Sequence, residues 1–302
     1  MKKARKTIIS AAITLTLAVL SACGGGGSTS TTAATQTGYF IDSAVSGLQY
    51  TSGSLSGVTG SDGSFQYTPG QPVTFKIGNL TLGSITPSSS NVYPVDLVSG
   101  ATNQTNANVT LIAQILQTLD DDGNTANGIT ISQNVKNALS TSNFAAIQLN
   151  TADASAATTQ LATALQTAPI TLSSGQVNAL VSAATAQAHL QSNLLNQYIN
   201  TSWKGTYSGT DSGTCQLTVL AAGGLTMPVG TIATTGTCTS SNPAYSPFTL
   251  IGYVSSSGTW TVGTVSSGAY FTGSLSRNGT GSGTWQNQTG SGYSGTWTMT
   301  KQ

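Results

Sequence analysis

A short glycine-led pattern recurs along the last third of the chain and constrains its fold more than any other feature. Ser-Gly-Thr-Trp occurs at residues 257–260, 282–285 and 294–297, and residues 204–207 are a variant with tyrosine. Small and large residues alternate in each copy, which is typical of a strand with one buried face, and Gly/Ser turns separate the copies. About eight such strands fit between residues 203 and 300, which predicts an antiparallel meander closing into a barrel or sandwich over 202–302.

The same alternation assigns an inward face to the strands. It turns Trp260, Val262, Trp297 and Met299 to one side. An eight-stranded barrel is only just wide enough for its own side chains, so these residues are expected to fill the interior. The alternative is an aromatic-lined cavity of about 300 Å³ or more that holds a small apolar ligand. The pattern does not identify ligand-binding residues for that alternative.

The chain is almost without charge. Only 6% of its 302 residues are charged, and it contains no glutamate and one histidine, His189. Ordinary globular domains carry roughly a quarter of charged residues. A hydrophobic fraction of 38% still supplies a core, so wholesale disorder is disfavoured. A nucleic-acid-binding surface requires clustered Lys and Arg residues. Four of the nine Lys and Arg lie in the first six residues, so the rest of the chain has too few for such a surface, and nucleic acid is excluded as a partner.

The composition also leaves few groups for acid–base chemistry. A helix is predicted over 174–199, and its apolar stripe consists of Val177, Val181, Ala184, Ala188, Leu195, Tyr198 and Ile199. His189 lies about 120° from Val177, Val181 and Leu195 of this stripe and is expected to face solvent. The aspartates form no visible pair for glycoside hydrolysis. No nucleophile elbow or phosphate-binding glycine loop is present in the part predicted to fold. We therefore expect a protein that is not an enzyme.

The first 23 residues have the layout of an export signal. Residues 1–6 are basic, residues 7–20 are mostly apolar, and Leu20-Ser21-Ala22-Cys23 follows. The apolar run is shorter than the roughly 20 residues that a transmembrane helix needs, which favours a signal peptide over 1–22. The tetrapeptide resembles the lipobox of Gram-negative bacterial lipoproteins, in which the cysteine becomes the lipidated N-terminus. The alternative is an ordinary signal peptide cut after Ala22.

The resemblance implies a lipid anchor on Cys23, a Gly/Ser/Thr tether over 23–37, and the membrane as a partner through the anchor. In such lipoproteins, an aspartate directly after the cysteine favours retention in the inner membrane. That position is Gly24 here, so the resemblance implies the outer membrane, at its periplasmic face or the cell surface. Without residues 1–22, five Lys and Arg oppose eight Asp, and the net charge becomes −3.

The sequence predicts two further segments between the tether and the C-terminal strands. Short alternating stretches over 38–100 predict a small β-sandwich-like module, and helical periodicity predicts a helical segment over 101–201. Val45-Ser46-Gly47 and Asp62-Gly63-Ser64-Phe65 resemble β modules of secreted Gram-negative proteins, including prealbumin-like ones, which implies adhesion or presentation and no catalytic residue. The predicted fold class is therefore α+β and multidomain.

Two constellations are candidate sites. Cys215 and Cys238 are predicted to form a disulfide, because the exported compartment is oxidising and a bridge closing about 24 residues adds roughly 3 kcal/mol. Asp120, Asp122 and Asn124 belong to the only acidic cluster. The EF-hand pattern there is incomplete, so the cluster is either a weak Ca²⁺ site or a solvated turn. No other cofactor is expected.

These observations predict a lipid-anchored outer-membrane or surface lipoprotein with a non-catalytic, adhesin-like interaction role. The glycine-rich terminal segment also resembles the C-terminal barrels of Gram-negative surface lipoproteins. The alternative function is a carrier that binds a small apolar ligand in its C-terminal barrel.

Overall fold

The computed structural model describes residues 34–221, 227–264, 268–287 and 292–302. The predicted signal peptide, Cys23 and most of the predicted tether lie outside the described residues. Residues 34–302 form one compact unit. Within the described ranges, no helix is long and apolar enough to cross a membrane.

The N-terminal part is a β module, as predicted. Its strands are β1 (Gln36–Phe40), β2 (Val45–Ser46), β3 (Gln49–Ser52), β4 (Leu55–Val58), β5 (Ser64–Tyr67), β6 (Val73–Ile77), β7 (Leu80–Ile85) and β8 (Asn91–Val92). Most of them form two small sheets, ordered β5-β1-β8 and β4-β3-β6-β7. Phe75 of the second sheet packs edge-on against Phe40 and Phe65 of the first, at ring-centroid distances of 4.7 and 5.0 Å. The two sheets therefore share an aromatic core.

The middle of the chain is helical but not entirely so. It contains α1 (Ala107–Thr118), β9 (Ile129–Thr130), α2 (Gln133–Ala138), α3 (Ser142–Ala145), α4 (Ala154–Thr167), β10 (Ile170–Leu172), β11 (Gly175–Val177) and α5 (Ala183–Asn196). The β module and these helices bury their apolar side chains in one continuous cluster, which extends from Phe40 to Leu194. The predicted boundary at residue 100 therefore does not separate two hydrophobic cores.

The long helix predicted over 174–199 is wrong at its start. Gly175 has a φ of +135°, which a helix does not allow, and it opens the second strand of the β10–β11 hairpin. Helix α5 begins only after Ser182, whose side chain accepts a hydrogen bond from the Thr185 amide. Of the predicted stripe, Leu195 and Tyr198 are buried, whereas Ala184 and Ala188 are exposed. The helix buries Ala186, Leu190 and Leu194 instead.

The C-terminal part is a closed antiparallel barrel of eight strands, which confirms the prediction. The strands are β12 (Ser202–Gly209), β13 (Gly213–Val219), β14 (Thr231–Ser240), β15 (Phe248–Ser255), β16 (Thr259–Thr264), β17 (Ala269–Leu275), β18 (Thr280–Asn287) and β19 (Ser294–Lys301). Each strand pairs with the next along the chain, and β12 pairs with β19 to close the sheet. Closure leaves no unpaired edge strand, which removes a route to aggregation.

The barrel interior follows the predicted alternation. Trp260, Val262, Trp297 and Met299 are all buried. Cys215 and Cys238 face each other on β13 and β14, with their Cα atoms 4.1 Å apart, and form the predicted disulfide.

One end of the barrel rests on the rest of the compact unit. The Tyr198 hydroxyl donates to the Leu275 carbonyl oxygen at 2.9 Å, and the Ser256 hydroxyl donates to the Gln104 side chain at 2.9 Å. Arg277 pairs with Asp96 at the same end. Because the strands run up and down, successive connections alternate between the two ends. The connections after β12 and β14 therefore lie at the opposite end.

Candidate functional site

The end of the barrel remote from these contacts contains a pocket of about 490 Å³. Its aromatic lining residues are Tyr207, Tyr245, Phe248, Phe271, Trp285 and Tyr293. Asp211 is the one charged residue among the described lining residues. Pockets that bind small molecules typically measure about 300–1,000 Å³ and combine apolar walls with a few polar groups. We therefore take this pocket as the candidate ligand site.

Two aromatic walls of the pocket stand at about a right angle to each other, and strand register places the two rings of one wall side by side. Phe271 and Trp285 are directly opposite each other on β17 and β18, with their rings 6.0 Å apart and 24° from parallel. Tyr207 on β12 stands at 90° to Phe271 and 81° to Trp285, at centroid distances of 5.8 and 5.5 Å. The Trp285 indole nitrogen donates to the Ser208 carbonyl oxygen at 3.0 Å. The deep walls are consequently rigid.

The rim of the pocket is more exposed. Tyr245 ends a short 3-10 turn, Pro243–Tyr245, in which the Asn242 side chain accepts a hydrogen bond from the Ala244 amide. Its ring is 6.4 Å from that of Tyr293, across the strand connections. Tyr245 is 48% exposed. The pocket therefore has a buried aromatic floor and a solvent-accessible aromatic rim.

Asp211 is held in place by two hydroxyl donors. The Tyr207 hydroxyl donates to its Oδ2 at 2.9 Å, and the Ser240 hydroxyl lies 3.0 and 2.9 Å from Oδ1 and Oδ2. Burial raises the pKa of Tyr207 to about 12, so its phenol keeps its proton at neutral pH and remains a donor. This arrangement fixes the orientation of the carboxylate in the pocket wall.

The sequence offered two alternatives for the barrel, and each describes a different part of it. Trp260 and Trp297 fill the interior with their rings 4.7 Å apart, as the packed alternative expected. The open end has the aromatic-lined cavity that the carrier alternative required. Sequence reasoning did not identify the lining residues. A signal was present in Asp211, which is the only acidic residue after Asp153 and lies within the strand region.

The predicted calcium residues lie in the turn that follows α1. Asp122 accepts hydrogen bonds from the Asn124 amide and the Asn127 side chain, and the Asn124 side chain accepts one from the Ala126 amide.

Asp120 Oδ1 accepts a hydrogen bond from the Thr130 amide at 2.8 Å, whereas its Oδ2 is buried without a hydrogen-bond partner. No group of three or more His, Cys, Asp or Glu side chains able to hold a metal occurs in the described ranges. The calcium site at Asp120, Asp122 and Asn124 stays a prediction.

His189 is not on the solvent side of its helix, so that expectation is wrong. The true phase of α5 turns it toward the β module, where its Nε2 lies 3.2 Å from Ser43 Oγ and 3.7 Å from Asp42 Oδ1. Its Nδ1 lies 3.3 Å from Thr125 Oγ1. Asp42 is completely buried, and the Gln117 side chain donates to its Oδ2 at 3.0 Å.

This Ser, His and Asp grouping does not have the geometry of a catalytic triad. In a triad, the serine and the acid contact opposite nitrogens of the imidazole. Here Ser43 and Asp42 approach the same nitrogen. The Ser43 hydroxyl also donates to the Thr125 carbonyl oxygen at 2.8 Å, so its proton is directed away from the histidine. The cluster joins helix α5 to the β module.

We expect the Asp42→Asn variant to be more stable than the parent protein at pH 8 and similar to it near pH 4. Burial raises the folded-state pKa of Asp42 from 3.8 to about 7. As the pH rises, the unfolded chain therefore loses the Asp42 proton at a lower pH than the folded protein does. The free energy of unfolding of the parent consequently falls between about pH 4 and about pH 7. Each pKa unit corresponds to about 1.4 kcal/mol, so the gain at pH 8 is expected to reach several degrees in Tm.

Thermal unfolding across pH 4–8 measures this effect. Burial lowers the pKa of His189, which weakens the fold as the pH falls below about 6.5, but both proteins share that residue. Asp62→Asn is the control, because Asp62 is exposed and its pKa is lowered by its hydrogen bonds to Ser64. Equal melting temperatures of the parent and Asp42→Asn at pH 8 would contradict the raised pKa of the buried Asp42 carboxyl.

Comparison with known proteins gives no family for this chain. The sequence matches no protein-family model, and no curated protein is significantly similar to it.

Proposed function

We propose that this protein is a lipid-anchored, non-catalytic binding protein of the outer membrane, and that the aromatic pocket of its barrel receives a small organic ligand. The observation that carries the binding role is the pocket of about 490 Å³ with its rigid floor of Tyr207, Phe271 and Trp285. The pocket lies at the barrel end remote from the hydrogen bonds that join the barrel to the rest of the unit.

The surface supports a small ligand more than a protein partner. Protein docking sites are marked by contiguous apolar patches of several hundred Å². In the described ranges the exposed large hydrophobic residues are Val58, Val229, Tyr245 and Ile251, which belong to four separate segments of the chain. One of them, Tyr245, is part of the pocket rim. The carrier role is supported by a pocket that is already present in the described residues.

The anchor rests on the sequence. Leu20-Ser21-Ala22-Cys23 resembles a lipobox, and a glycine-rich tether of the length that follows it reaches about 20 Å by the square-root rule. Several acyl chains on one cysteine hold a protein on a membrane far more durably than a single chain does. A binding barrel on such a tether samples the layer next to the membrane without leaving it.

Replacing Trp285 by alanine is expected to weaken ligand binding about 10- to 100-fold, because it removes one aromatic wall worth roughly 1.5–3 kcal/mol. The measurement is a titration of the purified full-length protein with a panel of small organic compounds, followed by ligand-observed NMR. Ile251→Ala is the matched control, since Ile251 projects from the outside of the barrel on β15 and is 39% exposed. The absence of saturable binding by every compound in the panel would contradict the proposed site.

Substituting Cys23→Ser is expected to move the protein from the membrane fraction to a soluble fraction, because serine cannot accept the thioether-linked lipid. Ser28→Ala, which changes the tether without touching the cysteine, should remain with the membranes. Cell fractionation followed by immunoblotting measures both. Retention of the Cys23→Ser variant in membranes at the parental level would overturn the proposed anchor.

A further inference from the structure

We propose that the ligand of the barrel pocket is a small organic cation of the alkylammonium or quaternary ammonium class. This inference rests on the pocket being a ligand site, as proposed above. It follows from three properties of the pocket walls: the arrangement of the rings, the sign of the one charge, and the hydrogen-bond donors that are already occupied.

The rings form a contiguous aromatic surface along the pocket. Tyr207 stands perpendicular to Phe271 and Trp285 at centroid distances below 6 Å, and Tyr245 and Tyr293 add two rings at the rim. The face of an aromatic ring carries partial negative charge, and a cation within about 6 Å of several faces is attracted to each of them. Indole is the strongest of these partners. Aromatic ring faces suit quaternary ammonium groups in particular, because such groups need no hydrogen bonds.

The charge in the wall is negative. Asp211 is held by Tyr207 and Ser240, and no Lys, Arg or His is found among the described residues that line the pocket. Outside the predicted signal peptide the chain carries five Lys and Arg against eight Asp. An anionic ligand would therefore meet a carboxylate and ring faces with no compensating cation, whereas a cation is attracted by both.

The two donors of the buried pocket floor are not available to a neutral polar ligand. Both are already used: the Tyr207 hydroxyl donates to Asp211, and the Trp285 indole donates to the Ser208 carbonyl oxygen. A sugar or an amide would therefore receive no hydrogen bond from Tyr207 or Trp285. A purely apolar ligand would cover the Asp211 carboxylate without compensating its charge, which is unfavourable. A cation, in contrast, interacts favourably with both the ring faces and the Asp211 carboxylate.

The test compares choline with its neutral isostere, in which a tert-butyl group replaces the trimethylammonium group. Isothermal titration calorimetry of the purified full-length protein with each compound is expected to show choline binding at least 10-fold more tightly. The two compounds have nearly the same shape, so the difference reports the charge. This comparison uses the unmodified protein and does not depend on the folding of any variant.

Two variants test the assigned groups. Asp211→Asn keeps an acceptor for the Tyr207 hydroxyl but removes the charge, and it is expected to weaken choline binding about 10-fold without affecting the isostere. Asp62→Asn is the matched control, because it makes the same change in net charge on an exposed turn of the β module. Circular dichroism confirms that each variant is folded.

The outcomes separate this inference from the proposed function. Equal affinities for choline and the isostere, with both lost in Trp285→Ala, would overturn the cation preference and leave the aromatic pocket as a ligand site. Choline binding that is unchanged in Asp211→Asn would also overturn it. Failure of choline, the isostere and the compound panel to bind would overturn both the inference and the proposed function.

Discussion

The Trp297→Ala variant is expected to lose about 3–5 kcal/mol of its free energy of unfolding, which is a large share of the stability of a single domain. Trp297 lies on β19 and is 1% exposed in the centre of the barrel. Its ring packs edge-on against Trp260 at 4.7 Å. Its indole nitrogen lies 3.0 Å from the Thr272 carbonyl oxygen and 3.2 Å from that of Thr284.

The cost is expected to be high because the neighbouring residues cannot fill the space. Gly273 on β17 is paired with Gly283 on β18, and Gly283 is paired with Trp297. A Cβ atom at Gly273 would lie 2.5 Å from the indole, and one at Gly283 would lie 2.7 Å from it. The indole therefore covers a pair of glycines that have no side chains to move into a cavity. The glycine of the second Ser-Gly-Thr-Trp copy, Gly283, therefore leaves room for the tryptophan of the third copy, Trp297.

Urea unfolding followed by near-UV circular dichroism measures the loss. Ile251→Ala, on the outer face of β15, is the control and should change stability by no more than about 0.5 kcal/mol. A loss below about 1 kcal/mol in Trp297→Ala would contradict the packing described for the barrel interior.

The barrel was predictable because its signal is local and periodic. Alternation places Trp260, Val262, Trp297 and Met299 on one face whatever the rest of the chain does, and the Gly/Ser turns mark the strand ends. The β module was predictable for the same reason, and its Asp62-Gly63 turn is formed with Gly63 at a φ of +80°. In both parts the period of two is unambiguous.

The central segment was less predictable because its composition hides the helix phase. Ala, Gln, Ser and Asn dominate residues 174–199, so several stripes of small residues compete and none is distinctly apolar. Tertiary packing against α1 selects the stripe with Leu190 and Leu194. The phase error also placed His189 on the wrong face, because its position follows from the stripe and not from its own chemistry.

The pocket could be anticipated only as one of two alternatives. Alternation shows that Tyr207, Phe271 and Trp285 point inward, but not whether another side chain occupies the space between them. That depends on the connections between the strands, whose sequences carry no periodic signal. Asp211 is the residue through which a sequence argument would have found the site, because an acid placed in a nearly uncharged β segment requires partners.

Reduction of the Cys215–Cys238 disulfide is expected to destabilise the barrel by about 3 kcal/mol, and to lower its Tm by roughly 10 °C. The cysteines are 23 residues apart in sequence and pair directly across β13 and β14. These strands are joined by residues 220–230, the longest connection between consecutive barrel strands. A cross-link that closes this segment removes conformations from the unfolded chain.

Differential scanning calorimetry with and without reductant measures the effect. The Cys215→Ser/Cys238→Ser double variant should melt near the temperature of the reduced parent, and reductant should leave that variant unchanged. Free thiols at both positions in denatured, unreduced protein purified from cells would contradict the bridge. The other connections between consecutive barrel strands are shorter than residues 220–230. The one disulfide of the described residues therefore spans the connection whose closure costs the most conformational entropy.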